Sequence, residues 1–306
     1  MTRAWIAFFA RLAFVTFGVV TLVFFLQRLI PGSPADAVLG PDALQSDKLR
    51  WLAANGLDKP ILEQYIDYIT KLFQGDLGRK LVDGRPIAPL LVERFFATLK
   101  LASCSFVFSL LLALLLGIYG AIRAGSRVDK FLSVLSLLMI SAPTFITGTL
   151  FLWIFAVWLD IFPLTGGNGL SSLILPTVTL GSALAALTSR MLRGSLLEVF
   201  HEDYIRTAFS KGLSKYQVYT RHALRNAVLP ALTILGLQLS SLLGGSVITE
   251  QVFTWPGLGS LMIEAVNQRD YNLVSACVVV LAFVHVCLAA VIDVVQQLFD
   301  PRVGVE

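Results

Sequence analysis

Six runs of apolar residues divide the chain, near Leu12–Leu29, Thr98–Ile122, Phe131–Trp158, Leu175–Leu192, Val228–Ile248 and Leu273–Val295. Each has about 17 residues or more, enough for a helix to cross a hydrocarbon core of about 30 Å, so each predicts a membrane span. Between the runs the pattern changes in two places. From Pro31 to Arg94 the chain turns polar, yet Ile61, Leu62, Tyr65, Ile66, Ile69, Leu72 and Phe73 recur at helical spacing behind Pro60, whose missing N–H costs nothing in a first turn. A shorter helix is predicted before Asn55-Gly56, and Gly75, Gly78 and Gly84 punctuate the stretch after Phe73. An amphipathic stripe is evidence of burial, so this segment is expected to form a small cap packed on the spans; docking of an external partner is the second reading.

The other change is the stretch Asp203 to Pro230, DYIRTAFSKGLSKYQVYTRHALRNAVLP, polar and basic between two apolar runs. A helix continuing from the fourth span through Glu198–Lys211 is expected to stop at Gly212, the residue best able to close a helix in the left-handed conformation. Ser214-Lys215-Tyr216-Gln217 fits a capping box, in which Ser214 accepts from the backbone of Gln217 and the Gln217 side chain reaches back to the Ser214 N–H. A short helix through Val218, Tyr219, His222 and Leu224 is expected to end before Leu229-Pro230. Physics alone leaves two readings: an ordinary amphipathic connector, or a pinned helix suited to pass a rigid push into the membrane.

Charge orients the spans. Arg123, Arg127 and Lys130 lie between spans two and three, and Arg193, Arg206, Lys211, Lys215, Arg221 and Arg225 between four and five. The segment Leu159–Ile174 carries no Lys or Arg, and the link between spans five and six carries only Arg269. The positive-inside rule therefore puts both termini and the polar hairpin in the cytoplasm, and residues 31–95 outside.

Composition agrees with a membrane solvent: 56% of the 306 residues are hydrophobic and 14% charged, against about a quarter charged in soluble domains. The mean hydropathy is +0.76. The formal charge of +4 comes from short loops, not from the basic face of a soluble domain, which argues against nucleic-acid binding. Arg3 and Arg11 precede the first apolar run, as in a signal peptide, but Pro31-Gly32-Ser33-Pro34 intervenes before Ala35-Asp36-Ala37, so an uncleaved span is expected. Cys104, Cys277 and Cys287 all fall inside predicted spans and suggest neither disulfides nor zinc.

Within the spans only His285 is ionisable at depth, while Glu250 and Asp293 lie near span ends, within reach of water or headgroups. Proton- and ion-coupled carriers place charges at mid-membrane depth, so this argues against that class. The chain shows no HExxH, GxSxG or GxxxxGK[ST] motif, hence no visible metal site, nucleophile or nucleotide cradle. No enzyme activity is expected, and any ATP that drives the protein is hydrolysed elsewhere.

Several short runs then carry a resemblance. Tyr204-Ile-Arg-Thr-Ala208, Lys211-Gly212-Leu213, Arg221-His-Ala-Leu-Arg-Asn226 and Leu229-Pro230 resemble the cytoplasmic signature loop of permease subunits of binding-protein-dependent ABC importers, in the dipeptide, oligopeptide and nickel branch. Arg28-Leu29-Ile30-Pro31-Gly32, Gly75-Asp76-Leu77-Gly78, Glu93-Arg94 with Ala97-Thr98-Leu99, Trp255-Pro256-Gly257-Leu258-Gly259, Arg269-Asp270-Tyr271 and Asp300-Pro301-Arg302 are similar to the same family in the same order. Arg206-Thr207-Ala208 departs from the generic Glu-Ala-Ala, as is usual for the peptide branch; Phe209 and Ser210 stand where that branch commonly has Arg and Ala.

The resemblance implies an all-α membrane protein with the six-helix fold of type I ABC importer permeases. It implies an external helical segment at 31–95 after an N-terminal tail and first helix at 1–30, and a core domain at 96–306 with a coupling loop at 196–227. The implied partners are a second homologous permease, two cytoplasmic ATPase subunits and an external binding protein, in a bacterial inner membrane. No cofactor or metal is expected in this chain, ATP and Mg²⁺ being bound by the ATPases. The residues at or beside the ATPase contact would be Arg206, Thr207, Ala208, Lys211, Gly212, Leu213, Ser214, Lys215, Tyr216, Gln217 and Tyr219. Substrate stays open between peptides and nickel or a metal chelate. His201 and His222 are cytoplasmic and His285 is isolated, which tilts the reading toward peptides. The rival of another class is a carrier or channel that works without ATPases.

Overall fold

The computed structural model describes residues 2–29, 32–166 and 169–299, and the described residues are mostly helical. The helices are α1 (Thr2–Leu29), α2 (Pro34–Leu39), α3 (Gln45–Ala54), α4 (Ile61–Phe73), α5 (Ile87–Ile122), α6 (Arg127–Ser141) and α7 (Thr144–Phe151). They continue with α8 (Ser171–Phe200), α9 (Asp203–Ser210), α10 (Lys215–Gln217), α11 (Leu224–Val252), α12 (Leu258–Asn267) and α13 (Tyr271–Phe299). Widened π turns extend α7 through Leu152–Trp158 and join α10 to α11 through Val218–Ala223. The expected helices at 61–73 and before Asn55 are present as α4 and α3. Asp300, Pro301 and Arg302 lie outside the described residues, as do Ile30, Pro31 and the side chain of Asp293.

Among the described residues, Ile87–Ile122, Ser171–Phe200 and Tyr271–Ile292 are long and apolar enough to cross a membrane, and Ala13–Leu29 is a shorter apolar helix. The third expected span, Phe131–Trp158, is not one straight helix. It breaks into α6 and the α7 segment, which meet at 108°. Pro143 supplies the reason: its ring pushes the preceding residue out of the helical region, and Ala142 sits at φ −79°, ψ 126°.

The chain divides into two compact units, Met1–Thr98 with Pro256–Cys287, and Leu99–Trp255 with Leu288–Glu306. In the first, Ile87, Leu91, Leu258, Leu261, Ala265, Leu273 and Cys277 form the core. Several of the runs similar to the importer family meet there, those around Thr98, Leu258 and Asp270 among them. The N–H of Leu258 donates to Thr98 Oγ1 at 2.8 Å, and Asp270 accepts from the N–H of Leu81 at 2.8 Å and of Leu273 at 3.1 Å. The Arg269 guanidinium lies over Gly32, where a Cβ would fall 1.5 Å from its Nη1. That close approach, with φ +110° at Gly32, accounts for glycine at the exit of α1.

In the second unit α8 is the central helix, packed by α6, α7 and α11. Small residues set the spacing, as expected where lipid offers no hydrophobic drive. A Cβ at Gly181 would lie 2.6 Å from Phe108 Cδ1 and 2.9 Å from the Ser105 carbonyl; one at Gly117 would lie 3.0 Å from both Leu192 Cδ2 and the Ser189 carbonyl. Thr188 and Gln238 hydrogen-bond between α8 and α11 at 2.9 Å. Glu250, expected within reach of water or headgroups, is instead fully buried near the end of α11, because the chain turns back there and the N–H of Trp255 bonds the Glu250 carbonyl at 2.7 Å.

Candidate functional site

The polar stretch after the fourth apolar run folds as a compact hairpin at the end of α8. Two of its features follow the local sequence rules. Gly212 has φ +81°, with no neighbour within 4 Å of the Cβ it lacks, so glycine is there for backbone conformation and not for room. The capping box at Ser214 is formed: Gln217 N–H to Ser214 Oγ at 3.4 Å, Ser214 N–H to Gln217 Oε1 at 3.1 Å.

Two other features differ from the sequence reading. The helix expected over Glu198–Lys211 is interrupted at His201 and Glu202; Glu202 is extended, at φ −69°, ψ 144°, and α9 starts afresh at Asp203. His201 Nδ1 pairs with the Leu197 carbonyl at 2.7 Å, closing the end of α8. The helix beyond the capping box does not end before Leu229-Pro230 either. It runs through the π turns into α11 with Pro230 inside. Proline removes one intrahelical bond at a cost of about 3 kcal/mol in an isolated helix, but Val218, Ala223, Ala227 and Ala231 are buried against the rest of the unit and hold the helix together.

Burial separates the expected contact residues into two sets. Ala208 is buried and Leu213 and Tyr219 are half-buried; with Ile205, Val218 and Ala223 they pack on Leu192 and Leu196 of α8 and Ala121 of α5. Phe200 and Tyr219 rings meet at 4.8 Å. Arg206, Thr207, Lys211, Gly212, Ser214, Lys215, Tyr216 and Gln217 are exposed, Tyr216 by 77%. The Arg206–Asp203 pair, at 3.6 Å, is exposed on both sides and holds Arg206 only loosely. Asn226 Nδ2 donates to Tyr204 Oη at 2.8 Å and ties the two legs of the hairpin. The result is an element with an apolar inner face packed on the membrane helices and a polar, basic outer face. Among the described residues no group of three or more His, Cys, Asp or Glu side chains is placed to hold a metal ion.

Sequence reading missed the ion pair beneath this hairpin. Asp129, near the start of α6, receives two hydrogen bonds from Arg193 of α8, at 2.6 and 2.8 Å, and one from the N–H of Gly125 at 2.9 Å. Ser126 caps the same helix, accepting from Asp129 N–H at 3.2 Å. Only the capping serine was visible as a local signal; the pair spans 64 residues.

Comparison with known proteins adds what geometry cannot. Residues 113–305 match the family "binding-protein-dependent transport system inner membrane component". The glutathione transport system permease protein GsiC of Salmonella typhimurium is 38% identical over 285 residues, covering 93% of each chain. That of Escherichia coli strain K12 is 36% identical over 288 residues, covering 94% of each. An inward-facing structure of the methionine ABC transporter MetNI superposes with a TM-score of 0.57 at 20% identity, over 69% of this chain and 96% of that one. A crystal structure of an amino acid ABC transporter with histidines gives 0.55 at 14%, over 69% and 94%; at such identities these two speak for the fold alone. The chain belongs to the binding-protein-dependent transport system inner membrane component family, as a multi-pass, non-enzymatic permease subunit of an ABC importer in the inner membrane.

Proposed function

We propose that this permease forms half of the translocation pathway for small peptides, di- to oligopeptides including glutathione, delivered by an external binding protein. Sequence identity of 38% across 93% of both chains, to a permease named for glutathione transport, supports that substrate class over nickel or a metal chelate. The hairpin is the coupling element: Arg206, Thr207, Lys211, Gly212, Ser214, Lys215, Tyr216 and Gln217 meet a cytoplasmic ATPase, while Ala208, Leu213 and Tyr219 seat the hairpin on the membrane helices. The observation that carries this is its two-sidedness, an outer face left polar and an inner face locked into the core of its unit. Such an element moves as a body, so ATP-driven closure of two ATPases tilts α8 and α11 and alternates the access of the pathway.

In this reading the chain makes six spans with both termini cytoplasmic, a segment 31–95 outside and a core at 96–306, and it pairs with a second, homologous permease. Copurification of the tagged chain from its membrane in mild detergent is expected to bring a second permease and ATPase subunits. Recovery alone or with copies of itself would instead favour a carrier or channel. Uptake of labelled glutathione, competed by dipeptides and not by nickel, checks the substrate class. Gly212→Asp puts a side chain at φ +81° and a negative charge on a basic surface, and uptake should be lost; if uptake and assembly both survive, the hairpin is not the coupling element.

A further inference from the structure

Half of the apolar face of α4 is left uncovered by this chain. Ile61, Leu62, Tyr65, Tyr68, Ile69, Leu72, Ile66 and Phe73 fall on one broad arc of the helix, opposite Glu63, Asp67, Thr70 and Lys71. One edge of the arc is packed. The Tyr65 hydroxyl bonds Thr21 Oγ1 of α1 at 2.8 Å, Tyr65 and Tyr68 rings lie 5.2 and 5.5 Å from that of Phe24, and Gln64 Oε1 accepts from Arg28 at 3.0 and 3.1 Å. The other edge stays open, with Leu62 exposed by 68%, Ile66 by 62% and Phe73 by 84%.

Depth identifies what covers it. Thr21 precedes the end of α1 at Leu29 by eight residues, or about 12 Å of helix at 1.5 Å per residue. Gln27 of α1 in turn donates to Ser275, on the second turn of the span that starts at Tyr271, at 2.7 Å. The helix α4 therefore lies beside the ends of two membrane helices and does not stand clear above them. A single turn, Gln64 to Tyr68, touches α1 from Thr21 to Arg28, and the uncovered edge of α4 continues an α1 surface on which Phe25, Leu26 and Leu29 are also exposed.

We infer that α4 is an interfacial helix whose Leu62, Ile66 and Phe73 insert into the lipid surface at the membrane face where α1 ends and α13 begins. Its polar side has the form that such a helix needs: Lys59 reaches Asp67 at 3.0 Å, and both stay exposed toward the headgroup and water side. A half-apolar circumference, with Lys59 just before the helix and Lys71 in its last turn, fits a helix lying at this depth. The segment is then part of the membrane domain, and no protein partner is needed to cover its apolar side.

The test is spin-label accessibility in the complex purified with its partners and reconstituted in phospholipid bilayers. Single labels replace Leu62, Ile66 or Phe73, and Glu63 or Thr70 on the opposite side, with the unsubstituted chain giving the background from its own three cysteines. Oxygen, which concentrates in lipid, is expected to relax the labels at 62, 66 and 73 several-fold more than a water-soluble nickel chelate does, with the order reversed at 63 and 70. Stronger relaxation by nickel at 62, 66 and 73 would mean a water-facing surface, and low relaxation by both reagents would mean a covering protein; either overturns the inference. Because all these sites are exposed, labelling leaves the fold intact, and a complex that assembles but gives either of those results separates this failure from failure of the importer reading.

Discussion

Among the described residues each compact unit buries one aspartate, and the two are satisfied in different ways. In the Leu99–Trp255 unit, Asp129 is 3% exposed and faces a full opposite charge, Arg193, with bidentate geometry. In the other unit, Asp270 is completely buried and is held by main-chain N–H groups from Leu81 and Leu273, with no cation in hydrogen-bond contact. The first arrangement ties two helices by side chains. The second ties a loop and a helix start by backbone, so that the aspartate fixes where the chain of residues 79–86 runs. Removing a partner should therefore do different things: leave a bare charge in one unit, and release a loop in the other.

The largest effect is expected from Arg193→Met. It strands Asp129, and the loss should be about 3 kcal/mol, at the low end for a broken buried pair because Arg193 keeps 30% of its side chain exposed. Denaturant unfolding of the purified complex, followed by helical signal, measures it. The comparison sharpens if Asp129→Leu is added: with both charges gone, most of the loss should return, since a buried pair replaced by apolar groups is often near neutral. No return would mean that the pair shapes the helix ends by hydrogen bonding and not by charge balance.

Asp270→Asn comes next. The amide can accept one of the two backbone bonds but turns an NH₂ toward the other, at a cost of about 1–2 kcal/mol for a buried unpaired N–H. Hydrogen exchange should localise the change, with the amide of Leu81 exchanging faster while the α8 amides do not. Uniform acceleration across both units would contradict the local role.

Each unit also sets an arginine against a glycine, and the costs of filling the two differ. Gly32→Ala forces a Cβ into the Arg269 guanidinium and into φ +110°; Arg269 is flexible and can move, so backbone strain dominates, about 1 kcal/mol. Gly120→Ala meets Arg193 Cδ at 3.2 Å and Asp129 Oδ1 at 3.5 Å, a mild squeeze that alanine's helical preference, worth up to about 1 kcal/mol, offsets. Thermal unfolding of the two variants should therefore show a clear shift for Gly32→Ala and almost none for Gly120→Ala.

How much of this was legible in the sequence depends on the range of each interaction. The capping box at Ser214–Gln217 and the left-handed Gly212 are local devices, and both were readable. The order of apolar runs and the family runs were readable too, because each is contiguous. The Asp129–Arg193 pair spans 64 positions and the Asp270–Leu81 bond 189, so no local pattern announces either. The bend at Ala142-Pro143 had a local signal that a long apolar run concealed, whereas Pro230 gave the opposite error: a helix breaker overruled by buried neighbours on both sides. The break at His201–Glu202 had no breaker residue at all; a capped helix end and a restart made it.

Acid separates two carboxylates of the same unit and gives the smallest, most specific effect. Asp36 bonds the Lys48 ammonium at 2.7 Å, and that hydrogen bond holds its carboxyl below the usual carboxylate range. A depressed folded value means that its stabilisation is present above the unfolded value, about 3.9, and is lost as pH falls below that through the folded value. Burial pushes the Asp270 carboxyl the other way, up from its ordinary value. A raised folded value means that the native chain gains stability on protonation: the gain is full below about 3.9 and is lost as pH rises through the folded value. The gap between the native chain and Asp270→Asn should therefore narrow as pH rises from about 4 toward neutrality, while the gap to Asp36→Asn should be constant over that range and close only below it. Unfolding midpoints for the three chains across that range test both signs at once. Parallel curves would mean that Asp270 is held by its two amides firmly enough to cancel the effect of burial.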